Sequence, residues 1–173
     1  MARSANILPV QPAGDHPLIF VTVGTTMPFD ELLEEVDRLA AEDALGEQVV
    51  CQSGESKYRM TRGKQFRSLP SIDNIIAESS IVITHGGATV IQLLTARKPF
   101  VAFPNPRGAG DHQSSFLAKI ASVSDISWDR NVKNLDRLIR ERRLLGPARI
   151  STNIPRAGDV VLDVLGIGKN MGR

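Results

Sequence analysis

The sequence predicts an α/β fold, a Rossmann-like parallel sheet with helices on both faces. Two observations support this prediction. Short apolar runs alternate with amphipathic segments along most of the chain, as in sheets built from strand–helix–strand units. Two of these runs also end in polar, glycine-containing loops, which are typical of the connections in such sheets. A chain of 173 residues can bury one sizeable core, so we expect a single domain.

The two ends of the chain set the predicted domain boundaries. Residues 1–17 contain three prolines and no regular hydrophobic period, so we expect a flexible arm. Residues 18–150 form the predicted domain. Residues 151–173 form a predicted C-terminal tail, with a final helix over 159–165.

The first half of the domain is predicted to hold three strands and two helices. Residues 18–23 are a continuous apolar and β-branched run, and apolar side chains then recur at helical spacing over 29–40. Further strands are expected at 48–52 and 65–69, with a polar, basic stretch between them. Ser71 is expected to cap a brief helix that follows the third strand.

The second half continues the alternation of strands and helices. Its strands are short, apolar and bounded by turn residues, which is typical of buried parallel strands. The predicted elements are a strand at 81–84, a helix after Ala88, a strand at 99–103, a helix at 111–121, a short strand at 126–128 and a helix from Leu135 that ends at Gly146-Pro147.

The charge balance does not favour a nucleic-acid partner. Lysine and arginine total 21 against 19 acidic residues, which gives a formal net charge of +2. The arginines between Arg137 and Arg143 are interrupted by Glu141, and no aromatic residue lies among them for base stacking. We therefore interpret that helix as carrying a solvated arginine face, and we expect no nucleic acid.

Cys51 is the only cysteine, which excludes an internal disulfide and a multi-cysteine metal site. Because it lies inside an apolar run, we interpret it as a buried strand residue and not as a nucleophile. No apolar stretch is long enough to span a bilayer, and the N-terminus lacks the apolar core of a secretory signal. We therefore expect a cytoplasmic protein.

The main candidate site is the turn between the strand at 81–84 and the following helix. It reads T-H-G-G-A-T over residues 84–89. A helix start has unpaired backbone N–H groups, and glycines let a phosphate approach them closely. The same glycines could instead serve only the backbone angles of a tight crossover. A second polar loop at 105–113 follows the next strand, and the topology places both loops on the same sheet edge.

Several enzyme templates lack their residues. The first turn, Gly24-Thr25-Thr26, does not have the G-x-G-x-x-G spacing of a dinucleotide site, and Gln52-Ser53 stands where an acidic ribose ligand is expected. P-loop, H-E-x-x-H and G-x-S-x-G motifs are also absent from the sequence. A sugar-nucleotide epimerase fragment is disfavoured because three scattered histidines do not supply the acid–base groups such enzymes need.

Five collinear motifs together resemble a known family. They are F-V-T-V-G-T-T at 20–26, Q-S-G at 52–54, I-T-H-G-G-A-T at 83–89, K-P at 98–99 and D-H-Q at 111–113. Over residues 18–122 they resemble the nucleotide-sugar-binding half of family 28 glycosyltransferases. The resemblance is strongest to stand-alone halves, namely PssE-like subunits of bacterial exopolysaccharide synthesis and the soluble subunit of the eukaryotic dolichol-pyrophosphate N-acetylglucosamine transferase.

The resemblance implies the C-terminal half of a GT-B fold and an inverting sugar transfer from a UDP-sugar. It implies no cofactor and no required metal. In such families the missing half binds a lipid-linked acceptor and usually supplies the catalytic base, so a separate membrane-anchored subunit is implied. That subunit would recruit this chain to the cytoplasmic face of a membrane.

The resemblance also assigns substrate-binding residues. Gly24, Thr25 and Thr26 match the first loop, which faces the cleft between the halves. The diphosphate loop matches His85, Gly86, Gly87, Ala88 and Thr89, and the loop that contacts the sugar or ribose matches Asp111, His112 and Gln113. Gln113 suits sugar hydroxyls because an amide both donates and accepts. His85 is either a proton-transfer group or a neutral donor, and His112 has the same two interpretations.

Two features depart from the family pattern. Gln92 stands where these families carry an acid that grips the ribose, and the loop before it is one residue shorter. Exchanging a charged for a neutral hydrogen bond costs on the order of 1 kcal/mol. Weak binding, a different donor and lost activity are the three outcomes compatible with Gln92. The alternative function is a non-catalytic scaffold of this fold that stabilises a partner subunit.

Overall fold

Six parallel strands form one sheet in the order β3-β2-β1-β4-β5-β6. The structure is a computed structural model that describes residues 17–108 and 111–151. The strands are β1 Leu18–Thr22, β2 Gln48–Gln52, β3 Lys64–Phe66, β4 Ser79–His85, β5 Phe100–Phe103 and β6 Ser127–Trp128. The predicted Rossmann-like sheet is confirmed. The predicted final helix at 159–165 lies outside the described residues, as does all but the last residue of the predicted arm.

Five α-helices and one 3-10 helix connect and flank the strands in the described part of the chain. They are α1 Asp30–Ala41, α2 Asp73–Glu78, α3 Thr89–Thr95, α4 His112–Ala121, the 3-10 helix Val132–Asn134 and α5 Leu135–Leu145. The sequence did not predict the 3-10 helix, whose Asn131 side chain accepts a hydrogen bond from the Lys133 amide. The predicted third strand was placed too late, since β3 ends at Phe66.

The helices cover both faces of the sheet, as predicted. Alternate residues of β1 point to opposite faces, so Ile19 and Val21 pack with α1 and α5, whereas Phe20 packs with α2, α3 and α4. Cys51 is fully buried on the α1 face, and burial raises the pKa of its thiol to about 12. Such a thiol is protonated at neutral pH, which confirms Cys51 as a buried strand residue.

One member of the predicted solvated arginine face is buried. Arg142 is only 1% exposed, and its Nε donates to the Ser127 hydroxyl over 3.0 Å. Its Nη1 donates to the Gly146 carbonyl over 3.2 Å, and its Nη2 donates to the Asp125 carbonyl. These bonds join the end of α5 to β6. Helical periodicity did not separate Arg142 from its exposed neighbours because the partners come from a distant strand and a turn.

The strand order reverses between β1 and β4, and this reversal places two connecting loops side by side. Thr22 at the end of β1 pairs with Thr84 near the end of β4. From there the chain leaves β1 toward α1 on one face and β4 toward α3 on the other. In an open parallel sheet, a crevice forms at such a point beyond the carboxyl ends of the strands. The candidate site is at this crevice.

Candidate functional site

The imidazole of His85 lies between two glycines at the ends of β1 and β4. A Cβ atom added to Gly24 would lie 2.9 Å from Cε1 of His85, and one added to Gly87 would lie 2.5 Å from Nε2. Both distances are below ordinary van der Waals contact. Gly24 also has a φ of +80°, in the region that glycine favours. The two glycines therefore leave room for the ring, which joins the first loop to the β4–α3 loop.

Two further glycines bring neighbouring elements to the same place. A Cβ atom on Gly86 would lie 2.9 Å from Cβ of Gln113, so the absence of a side chain lets α4 pack against the β4–α3 loop. A Cβ atom on Gly54 would overlap the carbonyl oxygen of Gly24, so the turn after β2 packs on the turn after β1. The loops that follow β1, β2, β4 and β5 therefore converge.

The β4–α3 loop presents free backbone donors. The Gly87 amide donates to the His85 carbonyl over 2.8 Å. The amides of Gly86, Ala88 and Thr89 make no hydrogen bond to a described residue, and no side chain caps the start of α3. Adjacent unpaired N–H groups form a site for an anion. Because α3 has only seven residues, these donors matter more than a helix dipole.

His85 contributes an uncharged ring to this loop. Burial lowers the pKa of His85 below its ordinary value of 6.5, so the imidazole is neutral at pH 7. Its Nδ1 atom is buried and has no hydrogen-bond partner in the described part of the chain. A neutral imidazole donates through one ring nitrogen and accepts at the other, but it supplies no positive charge to an anion.

The β5–α4 loop is held by an asparagine that sequence reasoning did not identify. Asn105 is buried, and its backbone amide donates to Oε1 of Gln113 over 2.7 Å. Its Nδ2 donates to the carbonyl of Pro28 over 2.9 Å, which ties the loop to the start of α1. The amide oxygen of Gln113 is thus used within the protein, and its Nε2 makes no hydrogen bond to a described residue. The sequence signal that could have identified Asn105 is its position, since it is a polar residue two positions after the buried strand β5.

A second cleft contains the acid of the D-H-Q motif. Asp111 accepts hydrogen bonds from Nη1 and Nη2 of Arg130 at 3.2 and 2.9 Å. These bonds lower the pKa of Asp111, so its carboxylate is ionised at neutral pH. His112 is exposed at the first position of α4. The cleft has a volume of about 330 Å³ and is lined by Pro104, Asn105, Pro106, Asp111, Gln113, Ser114 and Arg130.

A third cleft places an acid beside Gln92. Nε2 of Gln92 donates to Oδ1 of Asp73 over 2.5 Å, and the Ser71 hydroxyl donates to Oδ2 of Asp73 over 2.7 Å. Ser71 also accepts from the Asp73 amide over 3.1 Å, but Ile72 is the N-cap of α2 and no side chain caps the helix, so the predicted cap at Ser71 is wrong by one residue. Oε1 of Gln52 is buried in the same cleft without a donor among the described residues. The cleft measures about 280 Å³.

The third cleft changes how the Gln92 departure is interpreted. The carboxylate that α3 lacks at Gln92 is present nearby on α2, as Asp73. Asp73 was not predicted from the sequence, because the acid that binds ribose was expected only at the position of Gln92 on α3. The available signal was the Ser-x-Asp pattern at 71–73, which follows a strand and so lies at the same sheet edge.

Two features are absent from residues 17–108 and 111–151. No cluster of three or more histidine, cysteine or acidic side chains in this part of the chain is arranged to hold a metal ion. None of its helices has the length and apolar character needed to cross a membrane.

A family model described as the glycosyltransferase family 28 C-terminal domain matches residues 18–137. The match covers the whole sheet and every candidate loop. The chain belongs to this family. Family 28 membership makes it a glycosyltransferase donor-binding domain. No curated protein matched the chain.

Solved structures share the fold of this family 28 domain. ALG13, solved by NMR, superposes with a TM-score of 0.56 at 17% identity, over 89% of this chain and 96% of its own. Acinetobacter baumannii MurG gives a TM-score of 0.56 at 19% identity, over 78% and 44% of the two chains. The glycosyltransferase SnogD from Streptomyces nogalater gives 0.51 at 18% identity, over 83% and 42%. The chain thus spans less than half of MurG or SnogD.

The structure brings together part of the residue set that the resemblance assigned in this family 28 domain. Gly24 and Gly87 lie against the ring of His85, and Gly86 lies against Gln113. Thr25 and Thr26 are exposed in the first loop. Gln92 lies in a different cleft, with Asp73, and Asp111 lies in the cleft of Arg130.

Proposed function

We propose that the chain is the donor-binding subunit of a two-component inverting glycosyltransferase, which transfers a sugar from a UDP-sugar to a lipid-linked acceptor. One observation carries the proposal. The free amides of Gly86, Ala88 and Thr89 lie beside neutral His85 where the strand order reverses, in a chain of a glycosyltransferase family. Such a loop suits the diphosphate of a nucleotide-sugar.

In the proposed reaction, an acceptor hydroxyl attacks the anomeric carbon of the donor from the face opposite UDP. The new carbon–oxygen bond forms as the bond to the UDP oxygen breaks, and the acceptor proton passes to a base on the partner subunit. Negative charge develops on the departing diphosphate. The amides of Gly86, Ala88 and Thr89 would stabilise that charge, with His85 donating through one ring nitrogen. No metal is required in this scheme.

The nucleoside end of the donor would occupy the cleft that holds Asp73 and Gln92. Ribose hydroxyls are donors, and the cleft offers the Asp73 carboxylate, the Gln92 amide oxygen and the unpartnered Oε1 of Gln52 as acceptors. Asp73 would then supply the charged hydrogen bond that Gln92 cannot. The sugar end would reach toward Gln113 and the cleft of Asp111.

The proposal includes a membrane-anchored partner that binds the acceptor. It is supported by the family match, which is to the C-terminal domain of family 28 glycosyltransferases and so to one half of a GT-B fold. The partner would supply the missing half and the base, and it would recruit the chain to the cytoplasmic face of the membrane. Exopolysaccharide or related glycan synthesis is the proposed setting.

An amide chemical-shift titration of the full chain with UDP tests the donor site, with ADP and GDP as matched nucleotides. We expect selective shifts at Gly86, Ala88, Thr89 and Asp73. Equal responses to all three nucleotides would remove the uridine specificity that the proposal needs. If millimolar UDP shifts no amide resonance, the result would favour a scaffold that does not bind nucleotide.

The scaffold alternative is motivated by the neutral Gln92, and Gln92→Glu separates the two functions. A gain in UDP affinity without activity would favour a scaffold whose ribose contact has been lost. The donor-binding proposal expects the opposite result. Because Gln92 Nε2 lies 2.5 Å from Asp73 Oδ1, the Gln92→Glu substitution would bring two carboxylates together, and UDP affinity should fall.

Activity itself is tested by coexpression with the membrane polypeptide that supplies the missing half. Release of UDP from a UDP-sugar should require both chains and a lipid-linked acceptor. Donor turnover by the soluble chain alone, at the rate of the pair, would contradict the two-component scheme. If the two chains do not bind each other and no donor is consumed, the two-component scheme is wrong.

A further inference from the structure

Residues 55–67, which run from the turn after β2 through strand β3 and which we call the basic loop, carry a concentrated positive charge. They contain five lysines and arginines and one acid, Glu55. The whole chain has a formal net charge of +2, so the rest of the chain is net negative. All five cationic residues of the basic loop are exposed. They are Lys57, Arg59, Arg62, Lys64 and Arg67.

Most of this charge is not neutralised within the protein. Lys57, Arg62 and Lys64 make no ion pair with a described residue, and Arg59 donates only to backbone carbonyls of its own loop. Arg67 alone pairs, with Glu55.

The arginines of α5 behave differently. Arg137 pairs with Glu141 and Asp129, Arg140 with Asp136, and Arg143 with Glu47. Arg142, which is buried, lies 3.7 Å from Asp125. The sequence shows two basic segments, and only the basic loop keeps its charge available.

The backbone of the basic loop is fixed in place. Oδ1 of Asp30 accepts hydrogen bonds from the amides of Lys57 and Tyr58 at 2.8 and 3.1 Å. The buried carboxylate of Asp37 accepts from the amides of Thr61 and Arg62 and from the Tyr58 hydroxyl. The cations therefore project from an ordered backbone, which reduces the entropy lost when they bind.

The basic loop also borders the candidate donor site. A cleft of about 480 Å³ separates its two ends, and Gly54 in the wall of that cleft packs on Gly24. The aromatic residues of the loop are only partly exposed, and Tyr58 is held by Asp37, so no exposed ring is available for stacking on a base. As a binding partner for the basic loop, this arrangement favours an anionic surface over a single-stranded nucleic acid.

We propose that the basic loop is a docking surface for the anionic phospholipid headgroups of a membrane. It would hold the donor site beside the bilayer that contains the acceptor, and in this it rests on the lipid-linked acceptor of the proposed function. Each lysine or arginine near an anionic bilayer strengthens binding about fivefold. Three unpaired cations on a fixed loop thus contribute on the order of a hundredfold.

Vesicle sedimentation with the full chain tests this surface. The vesicles contain phosphatidylcholine alone or phosphatidylcholine with phosphatidylglycerol. The loop variant carries Lys57→Gln, Arg62→Gln and Lys64→Gln. The control variant carries Lys119→Gln, Arg137→Gln and Arg140→Gln, which removes three exposed positive charges from α4 and α5. Both variants therefore have the same net charge.

The chain and the control variant should bind the anionic vesicles, and binding should weaken as salt is added. The loop variant should bind on the order of a hundredfold more weakly. Equal binding by the two variants, or equal binding to neutral and anionic vesicles, would overturn the proposal. So would tighter binding to a labelled DNA or RNA oligonucleotide than to anionic vesicles.

The UDP titration distinguishes a failure of this surface from a failure of the proposed function. The loop variant should keep the UDP-induced shifts at Gly86 to Thr89, because none of its substitutions lies in that loop. If the chain binds UDP but not vesicles, the donor-site proposal stands and the docking-surface proposal is wrong. If the chain binds anionic vesicles but not UDP, the donor-site proposal is wrong instead.

Discussion

The position of the His85 ring depends on the absence of two side chains. In Gly87→Ala the new methyl carbon would lie 2.5 Å from Nε2 of His85, so the ring or the loop must move. Gly87 does not have a positive φ, so the substitution tests the contact and not backbone strain. We expect UDP affinity to fall about tenfold, or roughly 1.4 kcal/mol, measured by calorimetry.

The double variant His85→Ala, Gly87→Ala is the control for this prediction. Removing the ring removes both the steric conflict and the proposed hydrogen bond from His85 to the diphosphate, so the cost of Gly87→Ala should be compared in two backgrounds. Gly87→Ala should lower UDP affinity less in a His85→Ala chain than in the wild type, and an equal loss in both backgrounds would show that the contact with the ring is not the cause.

Asp73 provides a second prediction at the scale of a residue. In Asp73→Asn the amide oxygen can still accept from Gln92, but the charged acceptor for the ribose is lost. UDP affinity should fall about fivefold to tenfold, which corresponds to about 1 kcal/mol. The affinity for 2′-deoxy-UDP should change less, because that ligand lacks one of the hydroxyl donors.

Glu34→Gln is the matched control for Asp73→Asn, since it neutralises an exposed acid on α1. It should leave both affinities unchanged. If Asp73→Asn lowers the affinities for UDP and 2′-deoxy-UDP equally, Asp73 does not contact the 2′-hydroxyl of the ribose.

At the scale of an element, the loop between β2 and β3 replaces a crossover helix. A polar loop of this kind needs partners for its backbone, and Asp37 on α1 provides them. Burial alone would raise the pKa of Asp37, but the amides of Thr61 and Arg62 and the hydroxyls of Tyr58 and Thr61 outweigh burial and lower the pKa.

Asp37→Asn should therefore destabilise the domain by about 2 kcal/mol. For a chain of this size that corresponds to a fall in Tm of roughly 4–8 °C by calorimetry. The wild-type carboxylate contributes its stability at pH values above its unfolded-state pKa of 3.8. That contribution is lost as the pH falls through the lower folded-state pKa. The difference between wild type and variant should be constant near pH 7 and shrink in acid.

A Tm difference that persists unchanged at low pH would show that packing, and not ionisation, causes the effect of Asp37→Asn. Glu34→Gln again serves as the control, because it removes an exposed acid from the same helix. Its Tm should match that of the wild type.

The elements themselves could largely be predicted from the sequence, because their signals are local. The apolar run at 18–23 and the helical spacing over 29–40 each depend on adjacent residues, and both correspond to observed elements. The predicted position of the edge strand β3 was displaced because its three residues, one exposed and two half-buried, give a weak hydrophobic pattern. The burial of Arg142 was missed because its partners are distant in the chain.

At the scale of the whole molecule, the sequence identified the loops of the candidate site but not their contacts. Parallel topology alone places the ends of β1, β4 and β5 on one edge, so loops at 24–26, 84–89 and 105–113 could be grouped in advance. The contact of His85 with Gly24 and the pair of Gln92 with Asp73 depend on side-chain positions across different elements. No periodicity encodes them.

Convergence of these loops implies that a donor should stabilise the entire domain. A ligand that binds only the folded state adds about 2.7 kcal/mol at a concentration of one hundred times its Kd. For this chain length UDP at that concentration should raise Tm by roughly 5–10 °C, whereas ADP at the same concentration should not. Asp37→Asn should show the same increase from a lower starting Tm, because Asp37 lies outside the proposed UDP contacts. A UDP titration that shifts the amides of Gly86 to Thr89 but leaves Tm unchanged would indicate a local, weak encounter and not occupation of a built site.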